Sequence, residues 1–243
     1  MRKILFIICW ALAGVGLYSC SLDEPSYGKT TSDNYYQKES DIEQALTGAY
    51  LQLRTTWNEY ALNHYFVGDC STDDALKGGG NDGDRAEVRD LSDFTVYTTN
   101  GEVGRRWEIL YRLINRCNDV IYYAPNAIGN EELLTRYANE AKALRAFGYY
   151  CLVSTFGEVP LITTPMQPAE ILQIPRSPLE KVYECIVSDL TDASALPAKG
   201  DYSDDDAYRV TRGFAKTMLA KTYMFKGDFA SAETVLHLSL IHI

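Results

Sequence analysis

The sequence predicts an all-α chain, a solenoid-like scaffold of helix pairs joined by long loops. Three observations carry this. Apolar residues recur at three- and four-residue spacings in several separate stretches, which is the period of a helix with one buried face. One helical stretch from Ala138 becomes apolar or aromatic at almost every position from Phe147 to Phe156 and is followed by Gly157 and Pro160, which stop a helix. Near the carboxy-terminus two helical patterns are separated only by a turn at Gly227, with small residues where the pair would touch.

The amino-terminus has the organisation of an export signal. Met1-Arg2-Lys3 is a short basic segment, and Ile4 to Leu17 is an apolar run too short to span a bilayer. It ends in Leu17-Tyr18-Ser19-Cys20, which resembles a lipobox, so residues 1–20 are expected to be a lipoprotein signal and Cys20 the lipidated residue. Acidic residues follow at Asp23 and Glu24, and Ser26 to Ser32 reads as a polar tether.

The mature chain then unfolds as a series of helices. Ser40-Asp41-Ile42-Glu43 has the form of a capping box, and Ile42, Leu46, Ala49 and Leu53 continue as one apolar face. Residues 68–93, rich in Asp and Gly, are expected to be one long loop, and long loops are often functional. Trp107, Leu110, Tyr111, Ile114, Cys117, Asn118 and Ile121 make the next stripe. In the central stretch Leu134, Tyr137, Ala141, Leu144 and Leu152 share a face, and Ala138, Ala141, Ala143 and Ala146 allow a neighbour to approach closely. Ser177 is expected to cap a further helix with Pro178 at its first position and Glu180 completing a capping box, ahead of Val182, Tyr183, Ile186 and Leu190. Leu219-Ala220, Tyr223, Gly227-Asp228-Phe229 and Ala232 stand at tetratricopeptide spacing.

Several of these segments resemble the SusD/RagB-like family of outer-membrane nutrient-binding lipoproteins. The resemblance rests mainly on Glu140-Ala141, Leu144-Arg145-Ala146-Phe147, Tyr149, Leu152-Val153, Phe156-Gly157 and Val159-Pro160-Leu161-Ile162. Ser71 to Ala75, the Trp107 helix and the segment Arg176-Ser177-Pro178 through Asp189-Leu190 extend it over residues 20 to 237. It implies a tetratricopeptide-like α-solenoid truncated before the carboxy-terminal region, since the match corresponds to the first half of a family member. Residues 21–237 would be that amino-terminal helical domain. Residues 238–243, Leu-Ser-Leu-Ile-His-Ile, are what CTG-TCT-CTT-ATA-CAC-ATC encodes. That is a transposon-adapter end, so these six are expected to be non-native and to interrupt the last helix after about two turns.

Composition narrows the function. With 33 acidic against 23 basic residues the formal charge is −10, which disfavours nucleic acid and anionic lipid as partners. No HExxH, paired His or Ser-His-Asp arrangement is present, so no catalytic residue and no metal ligand is assigned. Asp73/Asp74 and Asp204-Asp205-Asp206 lack the separated, differently tuned geometry of a glycosidase pair. No cofactor is implied; Asn81-x-Gly83-Asp84 with Glu87 is not an EF-hand spacing, though the loop leaves a bound Ca²⁺ open. Cys117, Cys151 and Cys185 sit in apolar helical patterns and read as buried free thiols; with Cys70, their pairing is left open.

The family resemblance implies a non-enzymatic, surface-exposed lipoprotein of the outer membrane. It would capture an oligosaccharide and deliver it to a SusC-like TonB-dependent transporter. Sugar binding needs flat aromatic faces and planar polar side chains, and Trp57, Arg89, Tyr97 and Asn100 offer both around the long loop. A tetratricopeptide-type adaptor binding only proteins, or a surface glycoside hydrolase, are the rival classes.

Overall fold

The computed structural model describes residues 35–54 and 60–240. The signal segment 1–20 with Cys20, the tether, Trp57 and residues 241–243 lie outside the described residues. From Tyr36 onward the chain forms one packed unit. Its helices are α1 (Glu39–Tyr50), α2 (Tyr60–Gly68), α3 (Ala86–Ser92), α4 (Gly101–Tyr123), α5 (Glu131–Phe156), α6 (Pro168–Ile171), α7 (Leu179–Ala193), α8 (Arg212–Lys226) and α9 (Phe229–Leu240). Among the described residues there is no strand, only isolated bridges at Lys38–Ile128 and Val159–Ser177.

Each long helix packs on the next, α4 on α5, α5 on α7, α7 on α8 and α8 on α9, while α1 lies against both α4 and α5. This pairwise order is the solenoid that the sequence predicts. The central stretch is the buried spine. Ala141, Ala143, Ala146, Tyr149 and Leu152 of α5 are 0% exposed. Its face toward α1 and α4 meets Ile42, Leu46, Leu113 and Cys117. Its face toward α7 and α8 meets Val182, Ile186, Leu190 and Leu219. A side chain at Gly148 would come within 3.0 Å of Ile114, so close approach of α4 and α5 needs the glycine there. The helix ends where expected: Gly157 adopts φ 69°, ψ −127°, a conformation open to glycine, and its N–H closes on the Val153 carbonyl at 3.0 Å.

Several local expectations need correction. Helix α1 starts at Glu39 rather than after Ser40, and it is the Asp41 carboxylate that accepts from the Lys38 N–H at 2.9 Å. Ser177 does not cap α7. Its N–H donates to the Val159 carbonyl at 3.0 Å and its Oγ accepts from the Leu161 N–H at 3.3 Å, so pairing with the 159–161 segment takes the group a cap would use. The helix therefore begins one residue later, after Pro178. The stretch after Trp57 contains α2, and residues 68–93 contain α3, so the loop is shorter than its composition suggests. Helix α9 continues to Leu240 instead of breaking at 238, because Leu238-Ser239-Leu240 holds no Gly or Pro to stop it.

The described cysteines are free thiols, with Cys70, Cys117 and Cys151 buried. Burial, helped by the Asp189 carboxylate, pushes the Cys185 thiol up to about 12 and keeps it protonated and unreactive at neutral pH.

Candidate functional site

Among the described residues, the longest connection between two long helices runs from α2 to α4 and holds only the short α3. Asn81 folds an Asx turn, its Oδ1 accepting from the N–H groups of Gly83 at 2.9 Å and Asp84 at 3.2 Å. Asp84 reaches back to the Gly80 N–H at 3.3 Å. Gly79 sits at φ 118°, and a Cβ there would lie 2.3 Å from Asp84 Oδ2, so only glycine fits. Helix α3 follows and is pinned from below. Arg85, held left-handed at φ 50°, pairs with Glu102 at 3.3 Å and lies over the Phe66 ring at 5.0 Å. Glu102, 3% exposed, also accepts from Asn63 Nδ2 at 3.2 Å.

Phe94 closes α3. It occupies the left-handed position at φ 56°, while the Thr95 N–H returns to the Asp90 carbonyl at 2.9 Å in the manner of a Schellman end. Glycine normally takes that position, and a Phe there costs on the order of 1 kcal/mol. Its ring is 72% exposed, so burial does not offset the cost. Arg85 and Phe94 are the two non-glycine residues with positive φ among the described residues, and both border this loop.

Of the sequence-predicted residues, Arg89 and Tyr97 reach this surface. Arg89 donates to the Asp82 carbonyl at 2.9 Å and to Asp90 at 3.2 Å, with Asp93 at 3.9 Å. It lines a polar cavity of about 380 Å³ together with Lys77, Asn81, Asp82, Ser92 and Asp93. Tyr97 is 64% exposed. Asn100 is placed differently: it is buried and caps α4, its Oδ1 accepting from Glu102 N–H at 3.0 Å and Val103 N–H at 3.2 Å while its Nδ2 donates to the Glu87 carbonyl at 2.9 Å. Trp57 lies outside the described residues. Lys77, which lines the cavity, and Phe94, at its border, were not singled out in the sequence. The pair Phe94 and Val96 between polar neighbours was a readable signal; the left-handed backbone was not.

Asp206 is taken up by Arg209 at 2.5 Å and Arg136 at 3.7 Å. Among the described residues no group of three or more His, Cys, Asp or Glu side chains is placed to hold a metal ion.

Comparison with known proteins places this architecture. The family model described as SusD-like, "Starch-binding associating with outer membrane", matches residues 21–224. SusD-like protein P2 of Formosa agariphila is 29% identical over 235 residues, covering 95% of this chain and 44% of that protein. SusD-like protein P25 of the same organism is 26% identical over 236 residues, covering 91% and 43%. The chain thus spans less than half the length of these relatives. A solved laminarin-binding SusD-like protein superimposes with a TM-score of 0.75 at 31% identity, covering 84% of this chain and 44% of that one. A SusD homolog from Bacteroides thetaiotaomicron gives 0.72 at 26% identity, covering 87% and 42%. The helical tetratricopeptide-like scaffold is the one these structures share. With a match over residues 21–224 and this helical scaffold, the chain belongs to the SusD-like family of carbohydrate-binding proteins associated with the outer membrane.

Proposed function

We propose that this chain is the amino-terminal part of a surface glycan-binding lipoprotein that captures an oligosaccharide without cleaving it and passes it to a SusC-like TonB-dependent transporter. The observation that carries the reading is the 76–97 surface. Exposed Tyr97 and exposed Phe94, the latter in a strained backbone, supply flat aromatic area in the same loop region as the Arg89–Lys77 cavity, which supplies hydrogen-bonding groups. A pyranose presents C–H faces and paired hydroxyls, which need those two partners. The polar lining suits a hydrated ligand and the open loop suits a chain rather than a small enclosed molecule.

Family membership and the laminarin-binding neighbour support a neutral glucan as the first ligand to test. In calorimetry with laminarin and starch oligosaccharides, Tyr97→Ala and Arg89→Met should each weaken binding about tenfold, the loss of roughly 1.4 kcal/mol. Unchanged affinity in both variants would remove this loop from the site, and release of reducing sugar would favour a hydrolase instead.

Cys20 supplies the anchor in this reading, with acyl chains contributing about 0.8 kcal/mol per buried CH₂. Cys20→Ala should move the protein from the membrane to the soluble fraction. Continued extraction only by detergent would count against the lipobox.

A further inference from the structure

Three arginine side chains are deeply buried, and they differ in one respect. Arg145 meets Asp189 at 2.8 Å and Arg209 meets Glu43 at 2.6 Å and Glu140 at 3.3 Å. Arg106, 5% exposed, makes no ion pair with a carboxylate among the described residues. Its Nε donates to Thr155 Oγ1 at 2.9 Å, and its Nη1 lies 3.3 Å from His64 Nδ1. A buried guanidinium with only neutral partners is costly, because the charge has lost water and gained no counter-charge. The last turn of α5, which carries Thr155, offers only the partial negative charge of a helix end.

The surroundings add positive charge. Lys221 of α8 places its ammonium 5.5 Å from the Tyr150 ring centre. Burial, then Arg106 and also Lys221, lower the His64 pKa against the opposing influence of Asp69, which favours the neutral imidazole. It stacks on Tyr60 at 5.1 Å. Tyr150, beneath Lys221, has a buried hydroxyl with no hydrogen-bond partner. His64 and Thr155, which touch the guanidinium, are exposed, as is Lys221, so the cluster lies at the surface. In a protein of formal charge −10, two cations, Arg106 and Lys221, here make no ion pair with a carboxylate among the described residues.

We propose that Arg106, His64 and Lys221 form a binding site for the anionic group of an acidic sugar, a uronate carboxylate or a sulfate ester. The site deepens the glycan-binding reading and rests on it. The planar guanidinium matches either anion by charge-assisted hydrogen bonds, Lys221 adds a flexible second charge, and neutral His64 donates one ring N–H. Bound anion would complete the ion pair that the other two buried arginines already have.

His64 reports the site directly. Its ring ¹⁵N and ¹³C resonances should shift saturably when the whole chain is titrated with glucuronate or glucose 6-sulfate, and not with glucose. The stronger of the two arms identifies the anion. Lys221→Met, an exposed change, should weaken binding about tenfold, as loss of one charge-assisted contact predicts. Arg106→Met should abolish it and Arg106→Lys restore part; if Arg106→Met fails to fold, Lys221→Met decides. Absence of a saturable His64 shift with either sugar overturns the site, and equal affinity for inorganic sulfate overturns its assignment to a sugar. Laminarin titration of the same sample, followed at Tyr97, reports separately on the neutral-glycan reading.

Discussion

Arg209→Met should destabilise the protein by about 3–5 kcal/mol, the usual cost of leaving a buried charge without its partner. The Arg209 side chain is 2% exposed and that of Glu140 is 0%. The guanidinium meets Glu140 Oε2 at 3.3 Å, Glu43 Oε1 at 2.6 Å and Asp206 Oδ1 at 2.5 Å. It also lies over the rings of Tyr137 at 5.3 Å and Tyr208 at 5.4 Å. These contacts join α1, α5 and the connection that leads into α8. Tyr50 extends the join, donating to Glu140 at 2.7 Å and accepting from the Val210 N–H at 2.9 Å. With Arg209 gone, Glu140 keeps Tyr50 and Arg136, the latter at 3.5 Å, for a fully buried carboxylate.

The loss should depend on pH in a definite sense. Burial raises the Glu140 pKa above the ordinary carboxylate value, with Tyr50 and Arg209 pulling it partly back. A raised carboxyl pKa in the folded state means that this group favours the fold at low pH and loses that contribution as pH rises through the raised value. Removing Arg209 raises it further. The difference between wild type and Arg209→Met should therefore be small where carboxylates are protonated and grow toward neutral pH. Urea unfolding at acid and neutral pH measures this. Adding Glu140→Gln should recover part of the loss at neutral pH. A difference independent of pH, or below about 1 kcal/mol, would mean that Glu140 is compensated without Arg209.

This network shows where reading the sequence stops. The stripes of α1, α4, α5, α7 and α8 were legible because helix periodicity is local, and so was the stop at Gly157. Glu140 was legible as part of a motif, but its partner Arg209 is 69 residues away and Glu43 lies 166 residues from Arg209. No local rule links them. Short helices escaped for a different reason. Helix α3 is preceded by Arg85 in a left-handed conformation with no side-chain cap, so the usual start signal is missing. At the candidate site, Arg89 and Tyr97 were identified by residue type, and both reach the loop surface. Asn100 was chosen by the same criterion, yet its side chain is used by the α4 amino-terminus. Asn is equally suited to a sugar hydroxyl and to a helix cap, and only position separates the two uses. The His64–Arg106–Lys221 cluster was invisible because each residue looks ordinary until α2, α4 and α8 bring them together.

The second large effect is expected at Arg145. Arg145→Met and Asp189→Asn should each cost about 3–5 kcal/mol. The pair is bidentate, Nε to Oδ2 and Nη2 to Oδ1, both at 2.8 Å, with the side chains 7% and 5% exposed. Arg145 Nη1 also donates to Asn118 Oδ1 and the Thr163 carbonyl, each at 2.9 Å. One guanidinium thereby holds α5 to α7, to α4 and to the segment after Pro160. That segment is further fixed by Asn118 Nδ2 on the Ile162 carbonyl at 2.9 Å and by Tyr149 on the Ile162 N–H at 2.7 Å. Both halves of the pair lie in stretches that carry the family resemblance, Leu144-Arg145-Ala146-Phe147 and Asp189-Leu190. Lysine keeps the charge but not the fork, so Arg145→Lys should lose most of the stability too. Amide exchange should then rise first at 161–163, where the carbonyl of Thr163 loses its donor. If Arg145→Lys unfolds at the wild-type urea midpoint, a point charge suffices there and the bidentate geometry is not what holds the four segments together.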